Sequence, residues 1–305
     1  MPEICEVALT AQYLLTKLKG RYITGMTVVA GKYTHLALPG GYLIEERAPL
    51  KVMDIDSKGK MMWFVLKDKN GGDVFIINKF GLTGEWSFYD DKNDRIVFDV
   101  EGGGKKYKLH YSDQRNFGLL YITDKRSVLD EKVEKLAPDL LKNDFSDEDF
   151  VRWVGEYLKV SARRKDVPIV SVLMKQDKKD GVGSGIGNYL SSEILYRAKI
   201  SPLRKIGDLS RKELKRLAGV IRHVTKLCYM SNVTGYMKKL RRFMKTHAEK
   251  VKKGVYPNYH PEINVDNEEF TFLTYGRDED DLGNPVVSEN IDGTRNTYWV
   301  PDVQE

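Results

Sequence analysis

Cysteine is nearly absent: Cys5 and Cys228 are the only two in 305 residues. Two cysteines cannot build a disulfide framework, and they exclude a zinc ribbon of four thiolates. Long hydrophobic runs are missing too. No apolar stretch approaches the roughly 18–20 residues a membrane span needs, and the first residues lack a secretion signal. Internal repeats and low-complexity tracts are also wanting. What remains is 41% hydrophobic and 31% charged, the composition of a soluble globular protein. The length suffices for two domains with separate cores. A reducing, intracellular compartment is expected, with no membrane partner.

The net charge of +6 is modest but unevenly spread. From Lys238 to Lys253 there are eight Lys/Arg against Glu249 alone, with Tyr236 and Phe243 close by. Such a stretch suits a polyanion, and it suits a solvated basic loop equally well. The opening Met1-Pro2-Glu3 carries a second signal. Methionine before proline is readily trimmed, which would leave the secondary amine of Pro2 as the terminus. An α-amino group has a pKa of about 7.7–8, so part of it is nucleophilic near neutral pH. Glu3 sets a carboxylate beside it for proton transfer.

Local patterns place the elements. Val7, Ala11, Leu14, Leu15 and Leu18 recur at helical spacing, and Gly20 stops the helix. Strands are predicted at Thr27–Val29, Met61–Leu66, Val74–Ile77, Ile96–Phe98 and Leu119–Ile122. Turns at Lys69–Gly72 and Glu101–Gly104 separate some of them. A leading helix and many short strands predict a β-sandwich over residues 1–124. Residues 125–145, with Ala137-Pro138, read as a linker. A helical texture follows over 146–264, with capping boxes at Ser146/Asp149 and Ser210/Glu213. The second box opens a helix whose Leu214, Leu217, Ile221, Val224 and Cys228 share one face, so Cys228 is expected to be a packing residue. Over 265–305, Phe270–Tyr275 and Thr294–Val300 read as the strands of a terminal hairpin.

The glycine-rich turn Gly183-Ser184-Gly185-Ile186-Gly187-Asn188 lies between the apolar turn Ile169–Met174 and a helix over Leu190–Ala198. Glycines let backbone N–H groups approach a phosphate, and the helix N-terminus adds partial positive charge. No P-loop Lys-Ser/Thr is present. Helix, glycine turn, helix is instead a way of gripping a nucleic-acid backbone.

Met1-Pro2-Glu3, Lys58-Gly59-Lys60, Phe80-Gly81-Leu82-Thr83-Gly84, Asp113-Gln114-Arg115-Asn116-Phe117-Gly118 and Gly185-Ile186-Gly187-Asn188-Tyr189-Leu190 occur in one order. In that order the chain resembles the Fpg/Nei family of DNA glycosylases (formamidopyrimidine-DNA glycosylase and endonuclease VIII), from Pro2 to about Pro301. The ending Thr294–Pro301 is similar to the zincless-finger, Nei-like branch of eukaryotes and giant viruses. The resemblance implies an α+β fold: a catalytic β-sandwich, a helix–two-turn–helix domain with a lesion-recognition loop within about Asn232–His260, and a zincless-finger hairpin. It implies a glycosylase and AP lyase working by β- and δ-elimination on oxidised pyrimidines and abasic sites, without a cofactor or metal.

By the same resemblance Pro2 is the nucleophile, Glu3 the proton shuttle, Glu6 an orienting carboxylate and Lys60 the basic catalytic residue. Leu82, Arg115 and Phe117 match the residues that fill the void left by an extruded base. Lys79, Asn188 and Arg295 match phosphate-binding positions. The implied partner is damaged double- or single-stranded DNA, bound by a monomer wherever DNA is repaired, in a nucleus or a viral factory.

Two departures stand out. Ile4-Cys5 occupies the place of the family's Gly-Pro, and a β-branched Ile4 could crowd the nucleophile. The stretch Lys175–Val182 is longer than the family's usual Asp-Gln, either as a surface loop or as added phosphate contacts. A non-catalytic damaged-DNA binder of the same fold and an RNA-binding module are the competing readings. A binder has no need of Pro2, Glu3 and Lys60 together.

Overall fold

A computed structural model describes residues 2–231, 240–291, 293 and 295–305. Tyr236, Lys238, Lys239 and Thr294 lie outside the described residues. The chain divides into two compact units. One is built on Glu6–Glu134 with Pro2, the other on Glu3–Cys5 and most of the chain from Lys135 onward. Among the described residues no helix is long and apolar enough to cross a membrane.

The first unit starts from α1 (Ile4–Leu18), whose Val7, Ala11, Leu14 and Leu18 join the core, as their spacing predicts. The chain leaves it at Gly20, where φ is 79°. There follow β1 (Tyr22–Val28), the short α2 (Tyr42–Arg47), β2 (Leu50–Lys58), β3 (Met61–Lys67), β4 (Asp73–Lys79), β5 (Gly84–Ser87), β6 (Asp94–Gly102), β7 (Lys105–Asp113) and β8 (Leu119–Thr123). They pair antiparallel in the order β5-β7-β6-β1-β2-β3-β4-β8. The β1–β2 seam has only two register pairs, so the sheet can fold over there.

Phe64 on β3 and Trp86 on β5 are far apart in that order, yet their rings lie 5.1 Å apart. The two halves therefore face each other as the expected β-sandwich, around Phe64, Trp86, Phe98 and Tyr111. Strand β4 is buried on both faces from Val74 to Asn78. Part of its cover comes from α3 (Arg126–Lys135), whose Arg126 lies 5.6 Å from the Phe75 ring.

The second unit contains α4 (Asp147–Lys159), α5 (Ile169–Met174), α6 (Asn188–Ala198), α7 (Arg211–Ser231), the short α8 (Arg241–Met244) and α9 (His247–Lys252), then β9 (Val287–Asn290) paired with β10 (Asn296–Trp299). Both expected capping boxes form, Ser146 with Asp149 and Ser210 with Glu213. The whole predicted apolar face of α7 is buried, including Cys228.

The first strand of the terminal hairpin is Val287–Asn290 and not Phe270–Tyr275. The backbone N–H groups of Leu273, Thr274 and Tyr275 all donate to the buried Glu193 carboxylate, so they are unavailable to a strand ladder. Phe270, Phe272 and Tyr275 instead ring Tyr189, with centroids 5.6–6.1 Å away. An apolar segment that wraps a buried carboxylate has a strand's composition without its pairing.

Candidate functional site

Helix α6 begins at the glycine turn, and its N-cap, Gly187, has no side chain to cap it. A helix start leaves N–H groups without acceptors and carries partial positive charge. Glu3 meets both needs. Its carboxylate accepts from the N–H of Gly187 at 2.5 Å, Tyr189 at 3.0 Å and Leu190 at 3.4 Å, and it is wholly buried. The anion at this helix terminus is thus the chain's own carboxylate, where the glycine turn alone suggested a phosphate. Gly187 is what lets Glu3 in, since a Cβ there would sit 2.5 Å from the carboxyl carbon.

The neighbouring glycine accounts for Ile4. Gly185 has a φ of 116°, and a Cβ on it would lie 2.2 Å from Ile4 Cδ1. Ile4 donates its N–H to the Gly185 carbonyl at 3.1 Å and is 1% exposed. Its bulk is seated over Gly185. Cys5 is fully buried, with Sγ 3.3 Å from the Thr225 carbonyl.

Gln176 fixes the glycine turn from below: Oε1 accepts from Gly185 N–H at 2.7 Å and Nε2 donates to the Ile186 carbonyl at 3.1 Å. The longer stretch after it is a tethered turn, with Lys178 N–H on the Lys135 carbonyl and Gly181 N–H on the Asp177 carbonyl. Asn188, expected to face a phosphate, is buried and donates Nδ2 to the Asn296 carbonyl at 2.9 Å, which ties β10 to α6. Arg295 is half-buried and immediately precedes β10.

A second constellation forms at one end of the sandwich. The register pairs Met61 with Lys79 and Lys79 with Leu119, so the start of β3, the end of β4 and the start of β8 share that end. Lys60 lies in the β2–β3 turn, just before Met61. Lys79 is exposed and Leu82 half-exposed, on the loop leaving β4; Arg115 is exposed just before β8. Phe117 is 61% exposed, which sets aside core packing as its purpose.

These loops are cross-locked. Thr83 Oγ1 donates to Asp113 Oδ1 and accepts from Arg115 N–H at 2.9 Å, while Gly118 N–H donates to Asp113 Oδ2 at 2.6 Å. Arg95 Nε donates to the Asp113 carbonyl at 2.8 Å, and Lys32 Nζ to the Gly118 carbonyl at 2.6 Å. Burial pulls the Lys32 ammonium pKa down, partly offset by Asp113. Close approach requires glycine at two points: a Cβ on Gly81 would lie 2.7 Å from Gly118 N, and one on Gly118 would lie 1.8 Å from the Tyr111 hydroxyl. A wedge, a guanidinium and an aromatic ring thus stand on one rigid base.

Pro2 and Glu6 are buried, and both belong to the sandwich unit with Lys60. Sequence motifs do not mark Thr83, Asp113 and Lys32 as the lock, or Gly187 as the seat of Glu3. Thr83, Asp113 and Gly187 stood inside quoted motifs, but only contacts between distant segments reveal these roles. In the expected lesion-recognition region, residues 232–239 lie outside the described residues. Further on, Phe243 and Tyr256 pack on His247 at 5.3 and 5.5 Å. These aromatics hold the segment together.

Comparison with known proteins gives the following. A model of the formamidopyrimidine-DNA glycosylase N-terminal domain matches residues 1–120, and one of the C-terminal domain matches residues 261–305. The formamidopyrimidine-DNA glycosylase of the Wolbachia strain from Brugia malayi is 30% identical over 231 residues, covering 73% of this chain and 76% of that protein. The crystal structure of MutM (Fpg) from Thermus thermophilus superposes with a TM-score of 0.69 at 21% identity, covering 99% of this chain and 98% of that one. A Lactococcus lactis Fpg mutant, solved in complex with Fapy-dG containing DNA, superposes with a TM-score of 0.72 at 19% identity over the full length of both. The last two similarities establish the fold.

Proposed function

Because the chain belongs to the formamidopyrimidine-DNA glycosylase family of DNA-repair enzymes, we propose that it excises oxidised bases and then cleaves the strand at the abasic site. The observation that carries this reading is the loop end of the sandwich. An exposed Phe117 and Arg115 and a half-exposed Leu82 stand on a locked base beside Lys60 and Lys79. An apolar wedge and a ring can refill the stack after a base is extruded, and Arg115 can bond the orphaned partner base. Backbone phosphates are the natural ligands of Lys79 and Arg295.

With Met1 removed, the Pro2 nitrogen attacks the anomeric carbon. The new N–C bond forms as the glycosidic bond breaks, and the base leaves with a proton. Ring opening gives an iminium ion, which acidifies the adjacent sugar carbon. Loss of a proton there expels the 3′ phosphate, and a second elimination expels the 5′ phosphate. Lys60 assists departure of the base. Glu3, pinned by the α6 N-terminus, is the carboxylate beside the nucleophile and serves the proton transfers, with Glu6 orienting it.

The protein acts as a monomer inside the cell, on damaged double- or single-stranded DNA, and needs no metal for this chemistry. The residues after His260 include no cysteine or histidine, which supports a zincless hairpin. The Nei-like ending favours oxidised pyrimidines as substrates. A panel of duplexes carrying single lesions tests the proposal. Release of thymine glycol or dihydrouracil ahead of 8-oxoguanine is expected, with nicking at abasic sites. No release from any lesion, together with tight binding to abasic DNA, would make the protein a non-catalytic binder.

A further inference from the structure

His260, in the helical unit, is 2% exposed and has a φ of 47°. Its Nε2 lies 3.1 Å from the Leu140 carbonyl oxygen, which can only accept, so Nε2 carries the proton. Nδ1 is buried with no hydrogen-bond partner among the described residues, and in the neutral ring it presents a lone pair. Lys226 Nζ holds the His260 carbonyl at 2.7 Å, so backbone and ring are both fixed.

Two exposed carboxylates stand close to this ring. One ligand atom each from Asp144, His260 and Glu262 lies within 4.8 Å of the other two. We propose that Asp144, His260 and Glu262 bind a divalent transition-metal ion, with water completing its coordination. Metal–N and metal–O bonds of about 2.0–2.2 Å place ligand atoms no more than about 4.4 Å apart, so small rotations of the two exposed carboxylates close the site. The Leu140 carbonyl does what a partner behind a ligating histidine commonly does: it fixes tautomer and ring orientation. An imidazole beside carboxylates suits Zn²⁺, Co²⁺ or Ni²⁺ better than Mg²⁺ or Ca²⁺.

Two carboxylates and a neutral imidazole balance the charge of a divalent ion. Arg222 approaches Glu262 Oε1 at 3.6 Å and pairs with Asp147 at 2.6 Å, and a carboxylate still has a second oxygen to offer. The ion would staple the segment ahead of α4 to the loop beyond α9. This role is separate from base excision and stands whether or not the proposed chemistry does.

The test uses the full chain, stripped with a chelator and titrated with Co²⁺ while its visible absorption is followed. Thermal melts with and without Zn²⁺ run alongside. One saturable equivalent is expected, and Zn²⁺ at about a hundred times its Kd should raise Tm by roughly 5 °C. Asp144→Asn with Glu262→Gln alters only exposed side chains, so the metal-free Tm should hold while Co²⁺ affinity falls at least about tenfold. Absence of a saturable equivalent, or equal affinity in the double variant, would overturn the site.

Discussion

Glu3→Gln preserves the shape of the buried side chain and removes its charge, which isolates what the carboxylate does for α6. In the native structure Oε2 accepts from Gly187 and Leu190 while Oε1 accepts from Tyr189. A glutamine has one acceptor oxygen. If that oxygen takes the Oε2 place, the Tyr189 N–H faces an amide donor and loses its partner. A buried donor without an acceptor costs about 1–3 kcal/mol, and hydrogen bonds to a charged group exceed neutral ones by about 1 kcal/mol. One orphaned and two weakened bonds then sum to about 3–5 kcal/mol. Urea unfolding at pH 7, followed by circular dichroism, should show a lower midpoint at unchanged slope. A melt should shift down by roughly 6–20 °C for a unit of this size. A loss below about 0.5 kcal/mol would show that Glu3 does not hold the helix terminus, and the structural half of its assignment would fall.

Other outcomes follow from the same geometry. The pKa of His247 is pulled down from 6.5 to about 4 by burial, with a smaller push from Lys250. At pH 5 the unfolded chain therefore takes up a proton that the folded one refuses, so stability falls as pH drops from about 7 to 4, by at most about 3 kcal/mol. His247→Phe, within its cluster of Tyr229, Phe243 and Tyr256, should flatten that slope in urea titrations at pH 7 and 5; an unchanged slope refutes the assignment. Phe117→Ala should leave stability within about 0.5 kcal/mol, because the ring is 61% exposed, while affinity for an abasic duplex in fluorescence anisotropy weakens by about 1–3 kcal/mol. Equal affinity would remove Phe117 from the stack-filling set. DNA affinity should drop steeply with salt, and Arg295→Ala should reduce the logarithmic slope by about one. A slope identical to wild type means that Arg295 touches no phosphate.

The legible parts of the chain were those written in local periodicity. The face of α1, the strands around Met61–Leu66 and Val74–Ile77, both capping boxes and the face of α7 all follow from neighbours within a few residues. Strand β2 escaped because the register shifts between Val52 and Asp54, which breaks its alternation. Strand β7 escaped because Lys105, Lys106 and Lys108 give it the look of a solvated loop. Glu193 shows the opposite error, since a carboxylate 80 residues away took the backbone donors of a segment that looked like a strand.

For the site, motif order pointed to residues but not to their partners. Glu3 and Gly187 are separated by 184 positions, and Thr83 and Asp113 by 30. Such pairings are products of topology, and no short-range pattern encodes them. The same holds for Ile4, whose accommodation depends on Gly185 across the fold.

Borohydride trapping on an abasic-site duplex tests whether Pro2 is the nucleophile. N-terminal sequencing first confirms a chain beginning at Pro2, and mass mapping of the reduced adduct then locates the attachment. One covalent DNA adduct carried on the Pro2 nitrogen is expected. An adduct mapped to a lysine, or none from correctly trimmed protein that still binds the duplex, would contradict it.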